Sequence, residues 1–226
     1  MSNALLGFPD VICKIPDLIQ RAYDLGLSGI AITEHEGISS HIKALDYYDK
    51  MEKDRPFTLA LGNEVYLLTE EEDYVNREIP NTIPYYHFIL TALDTEGHRQ
   101  LRLLSTRAWL RAWKQGKMFR RPTYYSDLEE IIKPNQGHVI ASTACLGSRI
   151  DKLLLDNEID KADLEVEKLF DIFGEGNFYI ECQPASGKNT PQSKVNNLLW
   201  QTAEYHNLKI IPTTDSHYLR KEDAFI

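Results

Sequence analysis

Long apolar runs are missing from this 226-residue chain: no stretch of about 18 consecutive apolar residues occurs, which argues against a membrane-spanning helix. No charged-then-apolar leader opens it either. Cysteine is scarce. Cys13, Cys145 and Cys182 are too few and too scattered for a disulfide framework, which fits a reducing compartment. Repeats, low-complexity tracts and Gly/Ser linkers are absent, so residues 1–226 read as one domain. An excess of positive charge is also lacking, with 25 Lys and Arg against 34 Asp and Glu, a net charge of -9. That balance excludes holding nucleic acid through the overall field, because phosphates are repelled. Together these absences predict a soluble, cytoplasmic globular protein with no membrane partner.

What the chain does contain is alternation of helical and extended patterns. "PDLIQRAYDLG" (16–26) places Leu18, Ile19, Ala22 and Leu25 at helical spacing, with Pro16 suited to a first turn and Gly26 to a C-terminal cap. The strand "GIAIT" (29–33) follows. A helix near 42–53, strands at 58–68 and 86–93, a helix over about 96–114 and a strand at 138–143 continue the series. Helices near 148–156, 160–173 and 191–206 then separate strands at 177–183 and 209–214. Apolar strands alternating with amphipathic helices imply a parallel sheet covered by helices, the α/β class. The polar, two-proline stretch 69–84 reads as an exposed excursion.

Residues 99–121, "RQLRLLSTRAWLRAWKQGKMFRR", hold eight Lys or Arg and no acid. Two readings stand: a basic, Trp-bearing patch for a phosphate backbone or an acidic partner, or an amphipathic helix whose Leu and Trp face the core while Arg stems snorkel.

The strand "KIIPTT" ends in Asp215-Ser216-His217, polar groups that are costly to bury without partners. Other strands end similarly. "GIAIT" runs into Glu34-His35-Glu36, "TLALG" into Asn63-Glu64, "HVIAST" into Ala144-Cys145 and "NFYI" into Glu181-Cys182. "YHFIL" instead carries His87 near its start. In parallel α/β barrels the loops after the strands aim side chains at one point. His, Glu, Asp and a single Cys there suit Zn, Mn or Fe better than Ca or a structural four-cysteine zinc site. Each residue alone has a plain structural explanation, as a satisfied histidine, a buried thiol or a loop cap; the coincidence of position is what points to a metal.

"GIAITEH", "GNEVY", "HFILTA", "STACLG" and "TTDSHYLRKEDA" resemble, in that order, the motifs of the PHP (polymerase and histidinol phosphatase) domain. "ACLG" and "DSHYLRKEDA" resemble its polymerase branch, the amino-terminal domain of bacterial and phage DNA polymerase III alpha subunits. The resemblance implies a distorted seven-stranded (β/α) TIM-like barrel whose mouth holds up to three divalent metals (Zn, Mn or Fe, with Mg as an option). It further implies metal ligation by Asp10, His35, Glu64, His87, Cys145, Asp215 and His217, with His87, Asp215 and His217 also serving catalysis. Cys145 as thiolate favours Zn. Glu34 and Glu181 are candidates to orient the imidazoles.

Members of this family begin with a strand ending His-x-His, which this chain lacks. The chain is therefore expected to be a piece of a longer polypeptide, short of its first barrel strand and two imidazoles, with partial metal occupancy and little nuclease activity by itself. The implied reaction in the parent is metal-dependent phosphodiester hydrolysis, a 3′-5′ exonuclease acting in DNA replication, with DNA delivered by the remaining polymerase domains or subunits. The rival reading is a silent, metal-stabilised scaffold that docks a separate proofreading exonuclease.

Overall fold

The computed structural model describes residues 13–220 and 222–223. Helix α1 (Ile15–Asp24) starts where expected, with Pro16 in its first turn, and ends on Gly26, whose φ of 80° is the left-handed conformation that suits a glycine after a helix. Ile19 and Ala22 turn inward, whereas Leu25 caps the helix and is exposed. With strand β1 (Gly29–His35) and helix α2 (His41–Lys50), α1 forms a small core of Ile19, Ala22, Ile32, Ala44 and Phe57.

Strand β2 (Thr58–Leu68) lies parallel to β1 and is followed by α3 (Glu70–Glu78) and strand β3 (Tyr86–Ala92). Helix α4 (Thr95–Leu110), a hairpin of β4 (Trp113–Gln115) and β5 (Met118–Arg120), the two-residue β6 (Thr123–Tyr124) and α5 (Tyr125–Ile131) come next. The chain then runs through β7 (Val139–Ser142), α6 (Arg149–Leu155), α7 (Ile159–Phe173), β8 (Phe178–Cys182), α8 (Pro191–Tyr205) and β9 (Lys209–Pro212).

The main sheet has the order β1-β2-β3-β7-β8-β9, with β6 beside the far half of β2. It curls into a half-barrel, an α/β architecture of the TIM-like kind, and β1 and β9 are its two ends among the described residues. Val65, Leu67, Phe88, Leu90, Val139, Ala141, Phe178 and Ile180 project from one face into the large core. Helices α4 to α8 close over them through residues such as Leu101, Leu128, Ile150, Leu169, Phe173 and Leu199. Fully burying each large side chain contributes about 1.5–3 kcal/mol, so this face dominates stability.

Three expectations are corrected. The sheet is not wholly parallel: β3 runs antiparallel to both β2 and β7. An apolar run encodes burial but not direction, so composition could not reveal this. The supposed excursion at 69–84 contains α3, started by a reciprocal cap in which Thr69 Oγ1 accepts from the Glu72 amide and Glu72 Oε2 accepts from the Thr69 amide. The long helix expected up to residue 114 stops at Leu110, and the chain turns into the hairpin through Gly116 at φ 61°.

Candidate metal centre

Reversal of β3 assembles the site. In the β1–β2 ladder His35 pairs with Glu64, and in the β2–β3 ladder His87 pairs with Tyr66, two residues beyond Glu64. Directly opposed residues share a face, as do residues i and i+2 of one strand, so His35, Glu64, Tyr66 and His87 all point to the same side. Because β3 enters where β1 ends, a histidine at the start of its strand meets the histidine that ends β1 and an acid just past the middle of β2.

Single donor atoms from His35, Glu64 and His87 lie within 4.8 Å of one another. Glu64 Oε1 is 2.6 Å from His87 Nδ1 and 3.6 Å from His35 Nδ1. Yet Glu64 Oε1 and His35 Nδ1 are buried without an aligned hydrogen-bond partner. Buried polar atoms are nearly always satisfied, so two such atoms 3.6 Å apart, neither in an aligned hydrogen bond, fit a bound cation. Cys145 Sγ stands 3.3 Å from His87 Nδ1 and accepts from the Gly147 amide. A Cβ on Gly147 would lie 2.9 Å from Cγ and Nδ1 of His87, so only glycine lets this turn pack against the ring.

The electrostatics follow the same geometry. Burial alone would raise the Glu64 carboxyl, but His87, His35 and His217 outweigh it and hold it below its usual range. Burial would lower the His87 imidazolium, yet Cys145 and then Glu64 push it up to about 10. Asp215 is shifted upward by burial and by the charge on Glu64, with His217, His35 and His87 opposing. Asp215 and His217 thus flank the cluster at electrostatic range, outside the tight three-residue group. His217 Nδ1 is engaged 2.8 Å from the Asp215 carbonyl. Asp10 lies outside the described residues.

Glu36, Ala144 and Asp215 have φ of 52°, 64° and 46°, left-handed values at non-glycine residues. Each follows a strand, β1, β7 or β9, and sits beside a candidate ligand or is one. Such conformations cost about 1–3 kcal/mol each and cluster where function requires a particular side-chain aim.

Two candidates for orienting the imidazoles do otherwise. Glu34 Oε2 accepts from the Ser40 amide at 2.8 Å, a loop cap. Glu181 is buried and accepts from Ser142, Gln183 and Thr213, tying β7, β8 and the segment after β9 together.

The PHP domain family matches residues 7–185. The chain belongs to the PHP domain family. Relatives extend that match: "Probable DNA polymerase YorL" of Bacillus subtilis (strain 168) is 36% identical over 231 residues, covering 94% of this chain and 18% of its own length. The DNA polymerase III subunit alpha of Thermus aquaticus is 30% identical over 218 residues, covering 95% of this chain and 17% of its own. This PHP chain therefore spans less than a fifth of the length of these curated relatives. Its fold resembles that of a proposed metal-dependent phosphoesterase from Bifidobacterium adolescentis, with TM-score 0.52 at 14% identity over 92% of this chain and 84% of that one. No described helix is long and apolar enough to cross a membrane.

Of two further residues that shape this PHP site, Tyr66 went unread in the sequence and Glu36 was read only as one acid among the polar strand ends. Tyr66 stacks on His87, ring centroids 5.2 Å apart, and forms the floor beside it. Glu36 accepts from the Arg121 amide at 2.8 Å, and its backbone carbonyl accepts from Trp109 Nε1 at 3.2 Å. The i+2 spacing of Tyr66 from Glu64 was the available signal for the first; nothing local signals the second.

Proposed function

We propose that this PHP domain hydrolyses phosphodiester bonds with the help of divalent cations, as a 3′-5′ exonuclease within a longer replicative DNA polymerase. The observation that carries the reading is the convergence of His35 Nδ1 and Glu64 Oε1, both buried and without an aligned hydrogen bond, on the His87 ring. His35, Glu64 and His87 would hold the cation, with Cys145 as a soft donor that favours Zn and with Asp10, Asp215 and His217 completing the set. A divalent cation, when bound, supplies a Lewis acid and makes a water acidic enough to attack phosphorus near neutral pH.

The chain's own groups prepare that chemistry. Glu64 stays ionised because the imidazoles around it stabilise its charge. Tyr66 shields one face of His87 and fixes the ring plane. Asp215, kept above the ordinary aspartate range by burial and by Glu64, and His217 stand at the rim, where a leaving hydroxyl would need a proton. DNA and the other polymerase domains are the partners this reading requires.

The test is elemental analysis of the loaded chain beside His87→Ala, with 3′ trimming of a labelled single-stranded oligonucleotide by the full-length polymerase carrying the same change. Loss of both metal and trimming supports the assignment. Metal retained by the parent with no trimming in either form favours the scaffold that docks a separate exonuclease.

A further inference from the structure

Four of the eight cations of residues 99–121 are paired with acids: Arg99 with Glu96, Arg107 with Glu130, Arg111 with Asp127 and Arg121 with Glu36. The first three stand at exposed or partly exposed positions. Arg121, directly after β5, differs from them: at 7% exposure it is the only buried Lys or Arg among the described residues.

A buried charge is costly unless it is paired, and the partner of this one is the residue that follows His35. Glu36 Oε1 accepts from the Arg121 amide at 2.8 Å, and Glu36 Oε2 is 3.5 Å from Arg121 Nη1. The guanidinium lies 4.1 Å over the Trp109 ring, and Trp109 Nε1 donates to the Glu36 carbonyl at 3.2 Å. Arg121 Nε is left buried without a partner. Well-packed apolar side chains would fasten this corner without such a penalty, so stability alone is a poor account of the pair.

What Glu36 holds gives a better one. Its φ of 52° turns the chain sharply out of β1 straight after His35. The Glu36 amide donates to the Glu64 carbonyl at 2.8 Å and the Gly37 amide to Asn63 Oδ1 at 3.0 Å, which ties one side of the turn to β2. Strand β1 pairs with β2 alone among the described residues, so its last residue is braced by the sheet from one side only. Trp109 at the end of α4 and Arg121 after the β4–β5 hairpin brace the turn through the Glu36 carbonyl and carboxylate. Binding constellations must be held to within about 0.5 Å, and His35 Nδ1 stands 3.6 Å from Glu64 Oε1, where a small rotation of the turn would separate them.

We propose that Arg121 is a positioning residue for His35: through Glu36, and with Trp109 behind it, it fixes the turn after β1 and so aims the imidazole at the cluster. The inference rests on the metal reading of that cluster and deepens it, but the aim of the ring can be measured with no metal present.

The experiment uses the full chain, first in chelator and then titrated with cobalt(II), whose visible bands report the geometry of its ligands. Ring proton–nitrogen correlations of the histidines, with His35 assigned through His35→Gln, are recorded for the parent, Arg121→Met and Trp109→Phe. Both variants are expected to shift or broaden the His35 ring signals and to leave those of the distant His138 and His206 in place. Arg121→Met should weaken cobalt(II) binding about 10- to 100-fold and alter the bands, as loss of a group that orients a ligand does. Trp109→Phe, which keeps a half-exposed ring and removes only the donor to Glu36, should act in the same direction to a smaller extent. Arg121→Lys should recover part of the affinity, since it returns the charge but not the flat face that stacks on Trp109. Circular dichroism melts in chelator identify any variant that fails to fold. His35 signals and cobalt affinity equal to the parent's in folded variants would overturn the proposal. A lowered melting temperature with metal affinity and ring signals preserved would also overturn it, by assigning Arg121 to stability alone. Absent cobalt binding by the parent would remove the metal reading instead, and the ring signals then decide the positioning by themselves.

Discussion

Glu64 Oε1 lies 2.6 Å from His87 Nδ1 yet is not aligned with any hydrogen-bond donor. In the metal-free protein the two groups face each other, and a cation would take the place of the proton between them. Glu64→Gln keeps the shape and removes the charge. Groups that merely orient a metal ligand contribute roughly 10- to 100-fold in affinity, so this change should exceed about 100-fold for Zn. Competition against a chromophoric chelator measures it; unchanged affinity would remove Glu64 from the site.

Loading a cation onto the site should release protons. In the metal-free protein His87 is held up to about 10 by Cys145 and Glu64 against the opposing effect of burial, so at pH 7.5 it carries a proton that a cation must displace. Titration calorimetry in buffers of different ionisation enthalpy should show uptake of that proton by the buffer. The sign for stability follows from a raised folded-state value. The contribution is complete below the unfolded value of about 6.5 and is lost as pH rises through about 10. In chelator, the melting temperature should therefore fall across the alkaline part of that window, and His87→Gln should flatten the fall.

Gly147→Ala should damage the site without touching a ligand. Its Cβ would sit 2.9 Å from His87 Nδ1, and the Gly147 carbonyl also accepts from the His87 amide at 3.1 Å, so ring and backbone must shift together. The expected cost is about 1–3 kcal/mol of stability, typical of overpacking, with weaker Zn binding. Thermal melts with and without metal report both; a variant with native stability and affinity would show that the turn has slack.

Acid should weaken the fold through His41, which is not among the proposed ligands. Burial lowers it to about 4, while Nε2 donates to the Gly62 carbonyl at 2.8 Å and Nδ1 accepts from His98 at 3.0 Å. A base with a lowered folded-state value takes up its proton first in the unfolded chain, so stability is lost as pH falls from about 6.5 toward 4. The loss is on the order of 1–3 kcal/mol. Urea titrations at pH 7 and pH 4.5, with His41→Gln beside the parent, should reveal the difference.

Much of this was legible in the residues. Helical spacing located α1, α2 and α6 to α8 to within a few residues, because each buries an apolar stripe that the core requires. Strands β1, β2, β3, β7, β8 and β9 were equally plain, whereas the short β4, β5 and β6 went unread, and direction was hidden, since burial on both faces looks the same in either sense. His87 held the missing clue: a donor at the start of one strand can join donors at the ends of others only if that strand runs backward. Thr69 and Glu72 likewise spelled out a helix start, which the two following prolines obscured. Glu34 and Glu181 misled because an acid beside a histidine in sequence need not face it in space; their partners are an amide and hydroxyls from other segments.

Glu64 and His87 sit on strands with neighbours on both sides, whereas Asp215 and His217 follow β9, which pairs with β8 alone among the described residues. The cup thus has a firm floor and one loosely hinged lip. Amide exchange should be slow through β2 and β3 and faster around residues 209–217, so the lip can move while the floor keeps its shape.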